Sequence, residues 1–169
     1  MADVQPVHFR EIQRFWSNTF LKILLLILSG IAWYGFISQI LFKIPFGSNP
    51  SSDTDVIIIF LVIGLGFPLF FYNLKLITEV RNDGVYYKFS LLHFSFRCIA
   101  FSSIKTYRVR KYKPLREYGG WGIRYGRKGK AYNVYGCMGI EFELTDNKWI
   151  LIGTQKPNEF VKAIDSVIH

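Results

Sequence analysis

Acidic residues are scarce in this 169-residue chain: 12 Asp and Glu stand against 21 Lys and Arg, leaving a net charge of +9. Cysteine is nearly missing, with only Cys98 and Cys137, which excludes a disulfide-dense secreted scaffold. His8, His93 and His169 lie far apart and no Cys-x-x-Cys or His-x-x-x-His occurs, so neither a metal site nor a cofactor is expected. No strand-helix-strand alternation is present, which argues against a parallel nucleotide-binding sheet. Most informative is the absence of charge from two long stretches. Half of the chain is hydrophobic and 18% is aromatic, so disorder is excluded as well.

The charge-free stretches run from Ile23 to Phe42 and from Val56 to Leu74. At about 1.5 Å rise per residue, each helix covers nearly the 30 Å of a bilayer's hydrocarbon core. Buried core helices usually stop at about 10 to 14 apolar residues, so two transmembrane helices are expected, over 23–42 and 56–74. The first run is too long for a signal peptide and has no small-x-small cleavage site after it. Pro68 in the second run removes a donor and crowds the carbonyl of Gly64, which predicts a bend there. Gly64 and Gly66 offer close helix contact instead. Trp33 and Tyr34 lie mid-run, so either the span is shifted towards Phe20 or these rings face the second helix.

The connector 43–55, KIPFGSNPSSDTD, is rich in Pro, Gly and Ser and reads as an extracytoplasmic loop closing an antiparallel hairpin. Lys and Arg number three before the first span, one in the connector and 17 after the second. This bias places both termini in the cytoplasm of a multi-pass cell-membrane protein. Residues 1–22 form a cytoplasmic N-terminal segment. Within it Phe9, Ile12, Trp16 and Phe20 recur at helical spacing, as in an interfacial helix or a plain extension of the first span.

Beyond Leu74 the pattern changes to short runs of Val, Ile, Tyr and Phe between turn residues. Asn82-Asp83-Gly84 and Thr145-Asp146-Asn147 are tight-turn sequences. Pro157 then opens an amphipathic helix with Phe160, Ile164, Val167 and Ile168 on one face. The expected fold of residues 75–169 is an α+β unit of about seven antiparallel strands, a small barrel or curled sandwich whose open end that helix closes. The apolar hairpin, the ending ILIGTQKPNEFVKAI, the stretch YGGWGIRYGRKGKAYNVYG and FREIQRF near the start resemble an uncharacterised, largely archaeal family. Its members are small two-span membrane proteins with a C-terminal bacterial-type PH-like domain. The resemblance implies a seven-strand barrel capped by the C-terminal helix and brings no functional residues with it. Phosphate-binding PH-like domains carry bases around the first hairpin loop, whereas Asn82-Asp83-Gly84 is short and acidic.

Between Lys105 and Lys130 there are ten Lys or Arg and one acid, Glu117, so this segment carries the whole net charge. Anionic lipid attracts each nearby cation by about 1 kcal/mol. Candidate lipid- or partner-binding residues are therefore Lys105, Arg108, Arg110, Lys111, Lys113, Arg124, Arg127, Lys128 and Lys130, with Tyr118 and Trp121 giving an exposed apolar tip or packing at that edge. A solvated face that serves topology alone is the competing reading. Interleaved tyrosines suit nucleic acid stacking, but no RNA-binding signature accompanies them. The glycines from Gly119 to Gly129 fail both phosphate-loop spacings and fit strand corners. Glu141 and Glu143, two apart on a strand, face basic neighbours, and the two cysteines are expected in the core. The expected role is a non-enzymatic binding or scaffolding module at the cytoplasmic membrane surface, contacting anionic headgroups or a membrane protein partner. An accessory subunit of a larger complex, docked through the second helix, is the alternative, and self-association is open.

Overall fold

In a computed structural model of the chain, residues 6–126 and 129–168 are described. Phe15–Leu74 forms one compact unit, and the chain on either side of it forms the other. The helical hairpin is thus an insertion between the first two strands of a β-rich unit.

Two helices, Thr19–Leu41 and Asp53–Asn73, are each long and apolar enough to cross a membrane. Both begin upstream of the charge-free runs because Asn18 and Ser52 are placed to cap them. The Asn18 side chain accepts the Leu21 N–H at 3.1 Å, and Ser52 Oγ accepts the Asp55 N–H at 3.2 Å. Each helix contains a π-helical stretch, Ile37–Leu41 in the first and Phe60–Gly66 in the second. The second lies immediately ahead of Pro68. There Ser29 Oγ donates to the Gly64 carbonyl at 2.8 Å, so the neighbouring helix supplies a donor where proline has none. A Cβ on Gly64 would lie 3.0 Å from the Phe60 ring and 3.5 Å from Ala32 Cβ, so this glycine is used for contact inside the hairpin.

Of the mid-run aromatics, Trp33 faces the second helix and meets Phe60 edge-on at 4.8 Å, while Tyr34 meets Phe46 of the connector at 5.6 Å. Gln39, buried, clamps the connector: its Nε2 donates to Ser51 O at 2.8 Å and to Asp53 Oδ1 at 2.9 Å. A cavity of about 220 Å³ lies beside it, lined by Leu28, Ala32, Phe46 and Val56 among others.

The β-rich unit holds two sheets. β1 (Val7–Arg14), β2 (Lys75–Arg81), β3 (Gly84–Phe89) and β4 (Arg97–Ala100) pair in that order, all antiparallel. β5 (Ile104–Lys111), β6 (Gly122–Gly126), β7 (Gly129–Asn133), β8 (Met138–Leu144) and β9 (Trp149–Gly153) form the second, ordered β5-β8-β9-β7-β6. The turns at 82–84 and 145–147 fall where expected. So does the C-terminal helix Pro157–Ile168, whose Phe160 stacks on Phe9 at 4.9 Å and lies 6.3 Å from Phe142.

Two expectations are corrected. The unit is not a closed seven-strand antiparallel barrel: both sheets are open, and β9 runs parallel to β7, which breaks the antiparallel succession. Residues 7–14 are a strand rather than an interfacial helix, with Phe9, Glu11 and Gln13 facing in and Ile12 facing out. The strand's period is hidden because two of its three inward side chains are polar. Both are bonded, although Gln13 Oε1 is buried without a partner among the described residues. Glu11 accepts from Thr154 Oγ1 at 2.5 Å and Gln155 N at 2.8 Å, and Gln13 Nε2 donates to Gly153 O at 2.7 Å.

Candidate lipid- or partner-binding surface

Strand alternation divides the basic segment between two faces of the second sheet. Register pairs Arg108 with Glu141 and Arg110 with Gly139, and across the sheet Arg124 with Ala131, which places all three bases on one face. Tyr107, Val109, Lys111, Tyr125 and Lys130 point the other way. On that second face the Tyr107 hydroxyl donates to Asp165 of the C-terminal helix. Burial first, and Asp165 second, push this phenol up to about 12.

The first face is organised by Glu141, which is 1% exposed. A carboxylate so placed needs cationic partners, and it has two. Arg108 reaches Oε2 through Nε at 2.9 Å and Nη2 at 2.6 Å, and Arg110 Nη1 reaches Oε1 at 2.5 Å. The other amino group of Arg110 bonds Glu117. Lys105 pairs with Glu143 at 2.8 Å. The carboxylate pair therefore faces bases as its spacing implied, but Lys105, Arg108 and Arg110 are committed to acids of their own chain.

Glu117 belongs to a short helix, Pro114–Tyr118, that sequence reading did not find. Pro114 supplies the fixed φ of a first turn, and Gly119, at φ +70°, ends it with the Gly119 and Gly120 N–H groups bonded to Leu115 and Pro114 carbonyls. The helix lays Tyr118 onto a floor of small residues. A Cβ on Gly126 would lie 2.6 Å from the Tyr118 ring, and Tyr118 clusters with Tyr112, Ala131 and Leu151. Tyr118 is therefore core, not an exposed tip. Trp121 is half-buried, with its indole N–H 3.5 Å from Gly136 O, and its carbonyl accepts Arg124 Nε at 2.9 Å.

What remains exposed is a small cationic corner. Lys111, Lys113 and Arg116 are exposed and have no acidic partner among the described residues. Between the last two sits Leu115, 63% exposed. Arg116 and Leu115 were not singled out by sequence, although the order Lys-Pro-Leu-Arg, a helix start carrying one apolar side chain among bases, is their signal. Arg124 is exposed on the edge strand, and Lys130 is half-buried with its ammonium 5.1 Å over the Tyr125 ring. Arg127 and Lys128 lie outside the described residues.

The cysteines also differ from expectation: Cys98 is exposed on edge strand β4 and Cys137 is half-buried. Among the described residues no three His, Cys, Asp or Glu side chains gather as a metal site would require. A search of curated proteins and a search of solved structures each returned no match. A family model does match, over residues 3–169, and the chain accordingly belongs to DUF6141, a family of unknown function.

Proposed function

We propose that the protein is anchored in the cell membrane by its two apolar helices, with both termini cytoplasmic. Its β-rich unit is then a PH-like binding or scaffolding module at the inner surface. Support for the anchor is the burial pattern: only 22% and 17% of the most apolar helix windows are buried, where a soluble core helix would be covered. Support for the PH-like reading is the pair of antiparallel-rich sheets with a C-terminal helix packed on β1, β2 and β8.

The observation that carries the binding role is this exposed corner of the chain, residues 111–116, where Lys111, Lys113 and Arg116 have no acidic partner among the described residues and Leu115 is exposed. Three cations at a surface of anionic headgroups contribute about 1 kcal/mol each, and one inserted leucine adds to that. Chain continuity ties the corner's unit to the helices, so weak contact suffices at the high effective concentration of a tethered domain.

The test uses the register of the fold. Arg14 and Lys75 are paired antiparallel neighbours, so an Asn-Gly turn can replace residues 15–74 and leave a soluble β-rich unit. This unit is expected to sediment with anionic vesicles and not with neutral ones, and to detach as salt shortens the Debye length. Lys113→Gln with Arg116→Gln is expected to weaken binding about 10- to 30-fold. Equal binding to both vesicle types, or to neither, would contradict the lipid contact.

A further inference from the structure

The β3–β4 connection, residues 90–96, reads SLLHFSF, an alternation that suggests continuation of a strand. Strand pairing in fact begins only at Arg97. Leu91 and Leu92 are 61% and 47% exposed, and Phe94 is exposed completely. Contiguous apolar side chains on a surface mark an interaction site.

The loop holds these side chains outward because the residues between them are pinned. The Leu92 and His93 N–H groups both bond the Phe89 carbonyl, at 3.3 and 2.9 Å. His93 Nδ1 accepts the Phe89 N–H at 3.2 Å, and its ring lies 6.2 Å from Tyr132. Phe96 lies on the outer face of the first sheet, with the Arg81 guanidinium 5.2 Å and the Lys88 ammonium 5.7 Å from its centroid. The root of the loop is fixed too. The Ser90 N–H bonds the Lys75 carbonyl at 2.9 Å, and Ser90 Oγ accepts the Lys75 N–H at 3.0 Å. Lys75 directly follows Leu74, the end of the hairpin unit, and pairs with Arg14, the residue just before that unit.

We infer that Leu91, Leu92 and Phe94 enter the boundary between headgroups and acyl chains of the bilayer that the two helices span. The inference rests on reading those helices as spans. Given spans, the loop root is hydrogen-bonded to the residue at which the chain leaves the second helix. Phe94 is four residues further on, a reach of at most about 14 Å. The interfacial layer is about 5 to 7 Å thick on each side, so the tip can cross it. Lys88 and Arg97 flank the loop and suit anionic headgroups above the apolar tip, the pairing of features that interfacial segments use.

The full chain in vesicles tests this, with Cys98→Ser and Cys137→Ser as background and single thiols from Phe94→Cys, Ile27→Cys or Asp146→Cys. Each thiol carries an environment-sensitive dye, and the vesicles contain a lipid with a quencher on its upper acyl chain. Several-fold stronger quenching at 94 than at 146, with quenching also at 27, is the expected result. Quenching at 27 but not at 94 overturns the insertion of the loop and leaves the spans standing. Quenching at neither removes both. If the thiol replacements prevent folding, a lipid with a photoreactive acyl chain reports on the native sequence. Label in the peptide spanning 91–97 and none at 145–148 supports the inference, and label in neither overturns it.

Discussion

The two units of this chain differ in the small and charged residues they bury. In the hairpin Ala32, Gly35, Gly64 and Gln39 are buried beside Leu25, Val56 and Phe60, while Leu26, Ile27, Ile58 and Leu61 face out. In the β-rich unit Leu76, Val80, Val85 and Phe89 are fully covered, and three carboxylates are covered with them. Each carboxylate has its own compensation: Glu11 from Thr154 and a backbone N–H, Glu79 from Arg10 and Arg81, Glu141 from Arg108 and Arg110. On the proposed reading of the helices as spans, the contrast is one of solvent. Where water surrounds a unit, apolar area drives burial and charge must be paired to enter. Where lipid surrounds it, small residues that permit close approach and interhelical hydrogen bonds do the holding. The Ser29 to Gly64 bond and the Gln39 clamp belong to the second regime, the Glu141 cluster to the first.

The largest effect that would sharpen this contrast is expected at Glu141. Glu141→Gln leaves two guanidiniums around a neutral amide and should destabilise the β-rich unit by about 3 kcal/mol, read by chemical denaturation of the unit excised with an Asn-Gly turn. The hairpin's stability in detergent should not change. Gly126→Ala comes next, at about 1 to 3 kcal/mol, because its methyl group would enter the Tyr118 ring. The displaced short helix carries Lys113 and Arg116, so vesicle binding should fall together with stability. Ser29→Ala is expected to cost about 1 kcal/mol in the hairpin alone, measured by unfolding of the full chain in micelles. Equal losses in both units from any of these would break the distinction.

The smallest effect is a pH dependence confined to the β3–β4 loop. Burial, then the neighbouring Arg97 and Lys88 cations, hold His93 below its usual 6.5. The folded state therefore favours the neutral ring, whose Nδ1 accepts the Phe89 N–H. A depressed histidine contributes stability in full above pH 6.5 and loses it as pH falls below that value towards the folded pKa. The protection factor of the Phe89 amide against hydrogen exchange should fall on acidification through this window, and His93→Gln should flatten the change.

Local signals made much of this structure legible. The apolar helices, the Asn82-Asp83-Gly84 and Thr145-Asp146-Asn147 turns and the C-terminal helix each follow from a few adjacent residues. What was hidden depended on distant partners. β1 shows no alternation of apolar residues because its inward Glu11 and Gln13 bond residues more than a hundred positions away. The parallel pairing of β7 with β9 leaves no mark on either strand. Strand spacing placed Glu141 among bases but could not say that it was covered, because the short helix beside it has only five residues. The same limit left Tyr118 open between an exposed tip and packing, because its burial requires Gly126. The alternation of His93, Phe94, Ser95 and Phe96 imitates a strand, yet it belongs to a pinned loop.

The central claim, two spans with the β-rich unit on the cytoplasmic side, is tested most directly by thiol labelling with a membrane-impermeant maleimide. Cys98 is exposed on the β-rich unit, and Ser48→Cys puts a thiol in the exposed connector. In intact cells the reagent should reach position 48 and leave Cys98 unlabelled until the membrane is opened. Labelling of Cys98 in intact cells, or protection of position 48 there, would contradict the account.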